Sequence, residues 1–213
     1  MAIDFFNNIN PLSYLVWITF VISCFFYLKK TKKIVWVVII CLINFLTDIS
    51  TLMCIYSNKS FTTIYNINFM LHHFFWIYIL FTFNRKFSFL HYVLVAFVVF
   101  ALTNLFFIEK QSLNYYTFVV GALFYIVSFI VLSFYHLKNE NLNYFTTNQY
   151  LLQTTPVVFF IGLTFIYAFR DSDMRNIIVY NNIDLYTFIA VIVNIIYYTL
   201  LNVYIFKERK QHA

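Results

Sequence analysis

The chain has 213 residues, of which 10% are charged and 62% hydrophobic, and its formal charge is +6. A soluble domain carries about a quarter charged residues, so this composition excludes an ordinary water-soluble fold and points to lipid as the solvent. The basic residues flank apolar runs and do not form a groove interleaved with aromatics, so no direct nucleic-acid partner is expected.

A membrane-spanning helix needs about 20 mostly apolar residues. In chain order the spans predicted are 12–28, 34–56, 61–83, 87–108, 113–137, 150–169 and 184–206, which makes an all-α polytopic bundle of seven transmembrane helices in one domain covering 1–213. The residues before the first span include Asp4 and no lysine or arginine, so they lack the basic start of a cleaved signal peptide, and the first helix is expected to be retained. The sixth span opens on Gln153, Thr154, Thr155 and Pro156, read as a first turn, where proline is tolerated. Cys24, Cys41 and Cys54 all fall in apolar runs and read as small core residues.

Lysine and arginine are retained on the cytoplasmic side of short loops. Lys29, Lys30, Lys32 and Lys33 follow the first span, Arg85 and Lys86 the third, Lys138 the fifth, and Lys207, Arg209 and Lys210 the last. The opposite loops mix Lys59, Lys110, Arg170 and Arg175 with Asp4, Glu109, Asp171, Asp173 and Asp184. This asymmetry predicts an outside N-terminus and a cytoplasmic C-terminus. It also supports seven spans over six, since dropping the sixth would put Lys207, Arg209 and Lys210 outside. The basic cytoplasmic face formed by Lys29–Lys33 and Lys207–Lys210 is available to dock a protein partner or anionic lipid.

Asp48 is the one charged residue well inside a span, roughly 12 Å from the outer end of its helix. An ionisable group at that depth is a functional-site hypothesis in its own right. Asn44, Thr47, Asp48 and Thr51 recur at i, i+3, i+4, i+7 and form one polar face. The third span carries Tyr65, Asn68, His72 and Trp76 at the same spacing, with His72 roughly 16 Å deep. Asn194 on the last span lies roughly 15 Å in, with Tyr197 and Tyr198 one turn deeper. The predicted ligand or ion cluster is therefore Asp48, His72, Asn194, Asn44, Thr47, Asn68, Tyr197 and Tyr198, with Asp48 as the anion and His72 as its proton-sensitive partner. The alternative is that the same groups hydrogen-bond between helices and fix packing only. His73 points about 100° away from His72, which makes a poor metal pair. Asn104, His91 and His136 read as interface residues, and Trp17 and Trp36 as belt anchors.

Missing chemistry narrows the field. The last span has no Schiff-base lysine, and Asn194 and Tyr198 stand where a zinc-dependent membrane hydrolase would need an HxxxH pair. With two glycines, Gly121 and Gly162, phosphate-cradling loops and a GxxxG dimer face are absent. No catalytic residue, metal or cofactor is assigned.

INFMLHHFFWIYIL at Ile67–Leu80 and VNIIYYTLLNV at Val193–Val203, with FIGLTFIYAF at Phe160–Phe169, resemble a largely uncharacterised group of small seven-helix membrane proteins of Bacteroidetes-type bacteria. This sequence has Asp48 where a glutamate would match the group, and His73 is extra. The resemblance implies a topology, in a bacterial inner membrane, and no reaction. By size and basicity the chain is also similar to membrane accessory proteins of type VI CRISPR systems, which would imply a part in antiviral defence. The functions left open are a non-enzymatic sensor or effector, an ion or proton channel or small-solute transporter, a defence accessory, and a lipid-directed enzyme. The sequence assigns no oligomeric state.

Overall fold

A computed structural model describes residues 10–28, 34–110, 112–169, 177–180 and 183–210. Lys29, Lys30, Lys32 and Lys33 of the predicted basic face lie outside these residues, as do Arg170, Asp171, Asp173 and Arg175. Among the described residues seven α-helices follow in chain order: α1 (Pro11–Leu28), α2 (Val35–Tyr56), α3 (Thr62–Phe83), α4 (Phe89–Thr103), α5 (Tyr115–Lys138), α6 (Asn148–Ala168) and α7 (Leu185–Lys210). Six helical stretches, the fourth being α4 with the turn that follows it, are long and apolar enough to cross a membrane, and α1 is an apolar, shorter helix. The outward-facing side chains are large and apolar, such as Val21, Tyr92 and Phe134, each more than 60% exposed. In water such a surface would be unfavourable, and in lipid it is the solvated one. The protein is therefore a multi-pass membrane protein.

The contacts fix relative direction. Thr19 and Phe26 of α1 meet Asn202 and Phe206 of α7 in the same chain order, whereas Trp17 and Phe20 of α1 meet Asp48 and Phe45 of α2, and Trp36 and Thr47 of α2 meet Tyr78 and Asn68 of α3, in opposite order, so α1, α3 and α7 run the same way. α2 runs against them, since Asn44 near its middle meets Tyr198 while its end returns toward the start of α3. α3 is the innermost helix and packs on α2, α4, α5 and α6. The buried side chains of α3 accordingly include Asn66, Phe69, His72, His73, Trp76 and Ile77. At one end lie the α2–α3 and α4–α5 loops and the α6–α7 connection, called here the hairpin end; the α3–α4 and α5–α6 connections mark the opposite end.

Four local features depart from the sequence reading. The predicted fourth span is an α-helix only to Thr103 and then widens into a π turn at Asn104–Ile108, closed by Glu109 N–H donating to the Asn104 carbonyl at 3.0 Å. Asn104, read as an interface residue, is fully buried and donates to Glu109 Oε2 (2.7 Å) and Thr117 Oγ1 (2.8 Å). Glu109, counted among loop charges, is itself buried and also accepts from Tyr116 N–H at 3.0 Å. Removing the shared donor takes one of two donors from Glu109 Oε2 and the Asn104 bond from the buried Thr117 hydroxyl, so Asn104→Leu is expected to lower stability by about 1–3 kcal/mol, read by detergent-titrated unfolding followed by circular dichroism.

The second departure concerns α6, which begins at Asn148 because the Thr147 hydroxyl accepts from Tyr150 N–H at 3.1 Å and caps it. Pro156 therefore sits in the interior of the helix and not in its first turn. Proline supplies no N–H to the Leu152 carbonyl one turn back, and at the next residue another helix adds a donor: Tyr125 OH bonds the Gln153 carbonyl at 2.6 Å, a buried contact between α5 and α6.

Third, part of the long α6–α7 connection, read as an external loop, forms two short antiparallel strands, β1 (Ile178–Tyr180) and β2 (Ile183–Asp184). β-branched Ile178, Val179 and Ile183 suit an extended backbone. Asp184 then caps α7, accepting from Thr187 N–H at 2.7 Å and from its hydroxyl at 3.1 Å, and that backbone donor holds its carboxyl below the usual carboxylate range.

Fourth, a 3₁₀ turn at Leu142–Thr146 joins α5 to α6 and buries Tyr144, whose OH donates to Gln153 Oε1. Burial, aided by the neighbouring Tyr150, pushes its phenol up to about 12, so it remains a donor at neutral pH.

Candidate functional site

The two polar faces read from the sequence meet between α2 and α3. Asn68 Nδ2 donates to Thr47 Oγ1 at 2.8 Å and lies 3.5 Å from Asn44 Oδ1. Asn44 Nδ2 in turn donates to Tyr198 OH at 3.1 Å, which ties α7 to the same group. Around them opens a cavity of about 250 Å³ toward the hairpin end. Asn44, Thr47, Asp48, Asn68, His72, Asn194 and Tyr198 all line it. Tyr197 does not: it stands behind His72 and bonds to its ring. Tyr65, Phe69, Phe118, Phe159 and Tyr167 supply aromatic walls. Among the described lining residues Asp48 is the one acidic group, and no lysine or arginine lines the cavity.

The internal pairing of this cluster differs from the expectation. Asp48 and His72 do not bond to each other. The Asp48 carboxylate accepts from Ser13 Oγ at 3.0 Å and from Trp17 Nε1 at 2.8 Å, both on α1. Trp17 is thus a partner of Asp48 and no simple belt anchor. The signal was present in the sequence, since Ser13 and Trp17 stand four apart and share one face of α1. His72 is turned the other way, with Nε2 3.1 Å from Tyr197 OH, while Trp76 Nε1 donates toward both that hydroxyl (3.2 Å) and Nε2 (3.3 Å). With Tyr197 and Trp76 as donors, Nε2 is the acceptor and the ring proton resides on Nδ1. An Asp48–His72 acid–base pair is not formed.

The remaining predicted residues fall as follows. Asn194 Nδ2 bonds back to the Ala190 carbonyl at 2.8 Å, within its own helix. His73 Nδ1–H donates to the Phe69 carbonyl at 2.7 Å and its ring stacks on Phe160, with ring centroids 4.5 Å apart. Its Nε2 is buried without a partner. Lys207, Arg209 and Lys210 are exposed at the far end of α7, with the Arg209 guanidinium 5.2 Å from the centre of the Phe26 ring. Between them Glu208 is buried and accepts from Asn148 Nδ2 at 3.1 Å. Among the described residues no group of three or more His, Cys, Asp or Glu is placed to hold a metal ion.

Beneath the cavity the bundle is tightly filled. Trp76, Ile77, Leu80, Tyr125, Phe160 and Tyr197 are all fully buried and form a packed layer between the cavity and the opposite end. The site is thus a half-open chamber with one carboxylate, several amides and hydroxyls, and aromatic walls. The chain matches no protein-family profile, no curated protein and no solved structure.

Proposed function

We propose that the chain is a seven-span protein of a bacterial inner membrane, with its N-terminus outside, that binds a small organic cation in this chamber and acts as a non-enzymatic sensor. The observation that carries the reading is the composition of the chamber wall: one carboxylate, no lysine or arginine, and the six phenyl or phenol rings of Tyr65, Phe69, Phe118, Phe159, Tyr167 and Tyr198. A carboxylate combined with aromatic faces is complementary to an ammonium group, through charge and through the ring quadrupoles. Its volume of about 250 Å³ admits a small solute only. The buried layer below favours a receptor chamber over a through-path. The outside N-terminus rests on the loop charges, and the seventh span on α1. The patterns at Ile67–Leu80 and Val193–Val203 support grouping the chain with the small seven-helix proteins that they resemble.

The test is a titration of the purified full chain in nanodiscs with tetramethylammonium and with benzylamine, each against a neutral alcohol of similar shape, read by the fluorescence of Trp17 beside Asp48. Saturable change with the cations and none with the alcohols is expected. Proteoliposomes should stay tight under the same ligands. Ligand-dependent leakage would replace the sensor by a transporter or channel, and no cation response at all would reduce the chamber to packing. Asn194→Leu offers a gentler check, because the Asn194 amide bonds only its own helix among the described residues. This variant is expected to weaken cation binding about tenfold by filling the chamber, with the unfolding midpoint essentially unchanged.

A further inference from the structure

A second cavity, of about 610 Å³, lies at the opposite end of the bundle, between the end of α3, the end of α5 and the start of α6. Two cations, Arg85 and Lys86, come to it from the tight α3–α4 connection, and none of the described lining residues is acidic. Taken alone, these two residues are what the orientation of any membrane protein requires. The chamber around them adds donors that orientation does not need.

His136, in the last turn of α5, stacks on Tyr144 with ring centroids 3.8 Å apart. Asn141 Nδ2 donates to its Nδ1 at 3.1 Å, which leaves the proton on Nε2. That Nε2 is buried and has no hydrogen-bond partner, and the Thr82 hydroxyl on the same wall is in the same state. The arrangement is built by the backbone as well. Glu140 takes a left-handed conformation (φ 54°), which returns the chain so that Asn141 N–H donates to the His136 carbonyl at 3.0 Å. A non-glycine residue in that region is strained unless its surroundings hold it. Two cations, two orphaned donors and no carboxylate make a chamber complementary to an anion with several acceptor oxygens.

We propose that this second cavity binds a phosphate group carried on an organic body. Phosphate offers the acceptors that Arg85, Lys86, His136 Nε2–H and Thr82 Oγ1–H lack. The volume exceeds what a free ion fills, and Phe83 and Tyr135 give it an apolar wall for the attached group. The phosphate belongs either to an anionic lipid headgroup or to a soluble phosphate ester. The inference stands on the second cavity alone and does not depend on the cation chamber.

The experiment uses the full chain in phosphatidylcholine nanodiscs. One arm measures binding of glycerol 3-phosphate by equilibrium dialysis. The other dopes the discs with phosphatidylglycerol and measures lipid retained by the protein in native mass spectrometry. Binding in the first arm identifies a soluble ester. Selective retention in the second, with no displacement by glycerol 3-phosphate, identifies a lipid headgroup. In either case Arg85→Gln with Lys86→Gln is expected to abolish binding, and His136→Phe, which keeps the ring on Tyr144 and the loop charges in place, to weaken it at least about tenfold. Failure of both arms overturns the proposal. So does wild-type binding by His136→Phe, which would show loop charge acting without the chamber.

Discussion

Gly121→Leu is expected to keep the protein from accumulating in the membrane, and Gly121→Ala to lower its stability by about 1–3 kcal/mol. A Cβ at Gly121 would stand 2.7 Å from His73 Cδ2 and 2.8 Å from Phe97 Cε2, closer than side chains pack. Neither ring has room to retreat. His73 is held at Nδ1 by the Phe69 carbonyl and stacked on Phe160, and both His73 and Phe97 are fully buried. In lipid, helices associate through close packing and not through water exclusion, so loss of this approach between α5 and its neighbours α3 and α4 is not offset by added apolar area. Gly162 plays the equivalent part between α6 and α7, where a Cβ would collide with Val193. Unfolding in mixed micelles, followed by circular dichroism, measures the alanine variant. A leucine at the lipid-facing Val127, 57% exposed, is the control expected to change nothing.

That role of the two glycines shows where the sequence was readable and where it was not. The apolar runs were legible because lipid leaves the backbone no partner but its own helix, and the runs at 34–56, 61–83 and 113–137 match α2, α3 and α5 to within a residue or two. The polar faces of α2 and α3 were legible for a similar reason: a period of 3.6 sorts side chains by face whatever lies opposite. Which face lies opposite is a different matter. Depth along the axis placed Asp48 and His72 at one level, yet rotation about each axis sent Asp48 to α1 and His72 to α7. Rotation depends on packing, and packing here turns on small residues such as Gly121 whose neighbours are far away in sequence. The second cavity was illegible for another reason. Arg85 and Lys86 have the same appearance whether they set orientation or line a chamber, and the residues that tell the two apart, His136, Asn141 and Tyr144, meet only through a loop conformation.

The two cavities are joined by a line of contacts. His72 borders the first cavity and bonds Trp76. The Trp76 ring lies edge-on to Tyr125 at 6.2 Å, Tyr125 OH donates to the Gln153 carbonyl, and the Gln153 side chain accepts from Tyr144, which stacks on His136 at the border of the second. Contiguity is not coupling, and coupling requires two arrangements of the line that each ligand biases. Pro156 lies beside this line: it supplies no N–H to the Leu152 carbonyl, next to the Gln153 carbonyl that Tyr125 holds.

Asp48→Asn is the variant with the largest expected effect on the first cavity, a loss of about a hundredfold in organic-cation affinity. A unit charge pair near 4 Å at an effective dielectric of about 20 interacts by roughly 4 kcal/mol, and partial exposure of the half-buried carboxylate reduces this to roughly two-thirds. The substitution is not silent in the fold. Both carboxylate oxygens accept from α1, and an amide in their place accepts from Trp17 through its oxygen and donates its NH₂ to the Ser13 hydroxyl. What is lost is the charge assistance of two bonds, about 1–3 kcal/mol, set against the relief of no longer holding a charge inside the bundle. Trp17→Phe separates the two effects. It removes the donor at 2.8 Å and leaves the charge, so it should lower stability by a similar amount while the protein still prefers an ammonium ligand to a neutral one. For both variants, binding is followed by displacement of a labelled quaternary amine, which does not rely on the tryptophan being replaced. If Asp48→Asn retained that preference, the carboxylate would be no more than a strut between α1 and α2.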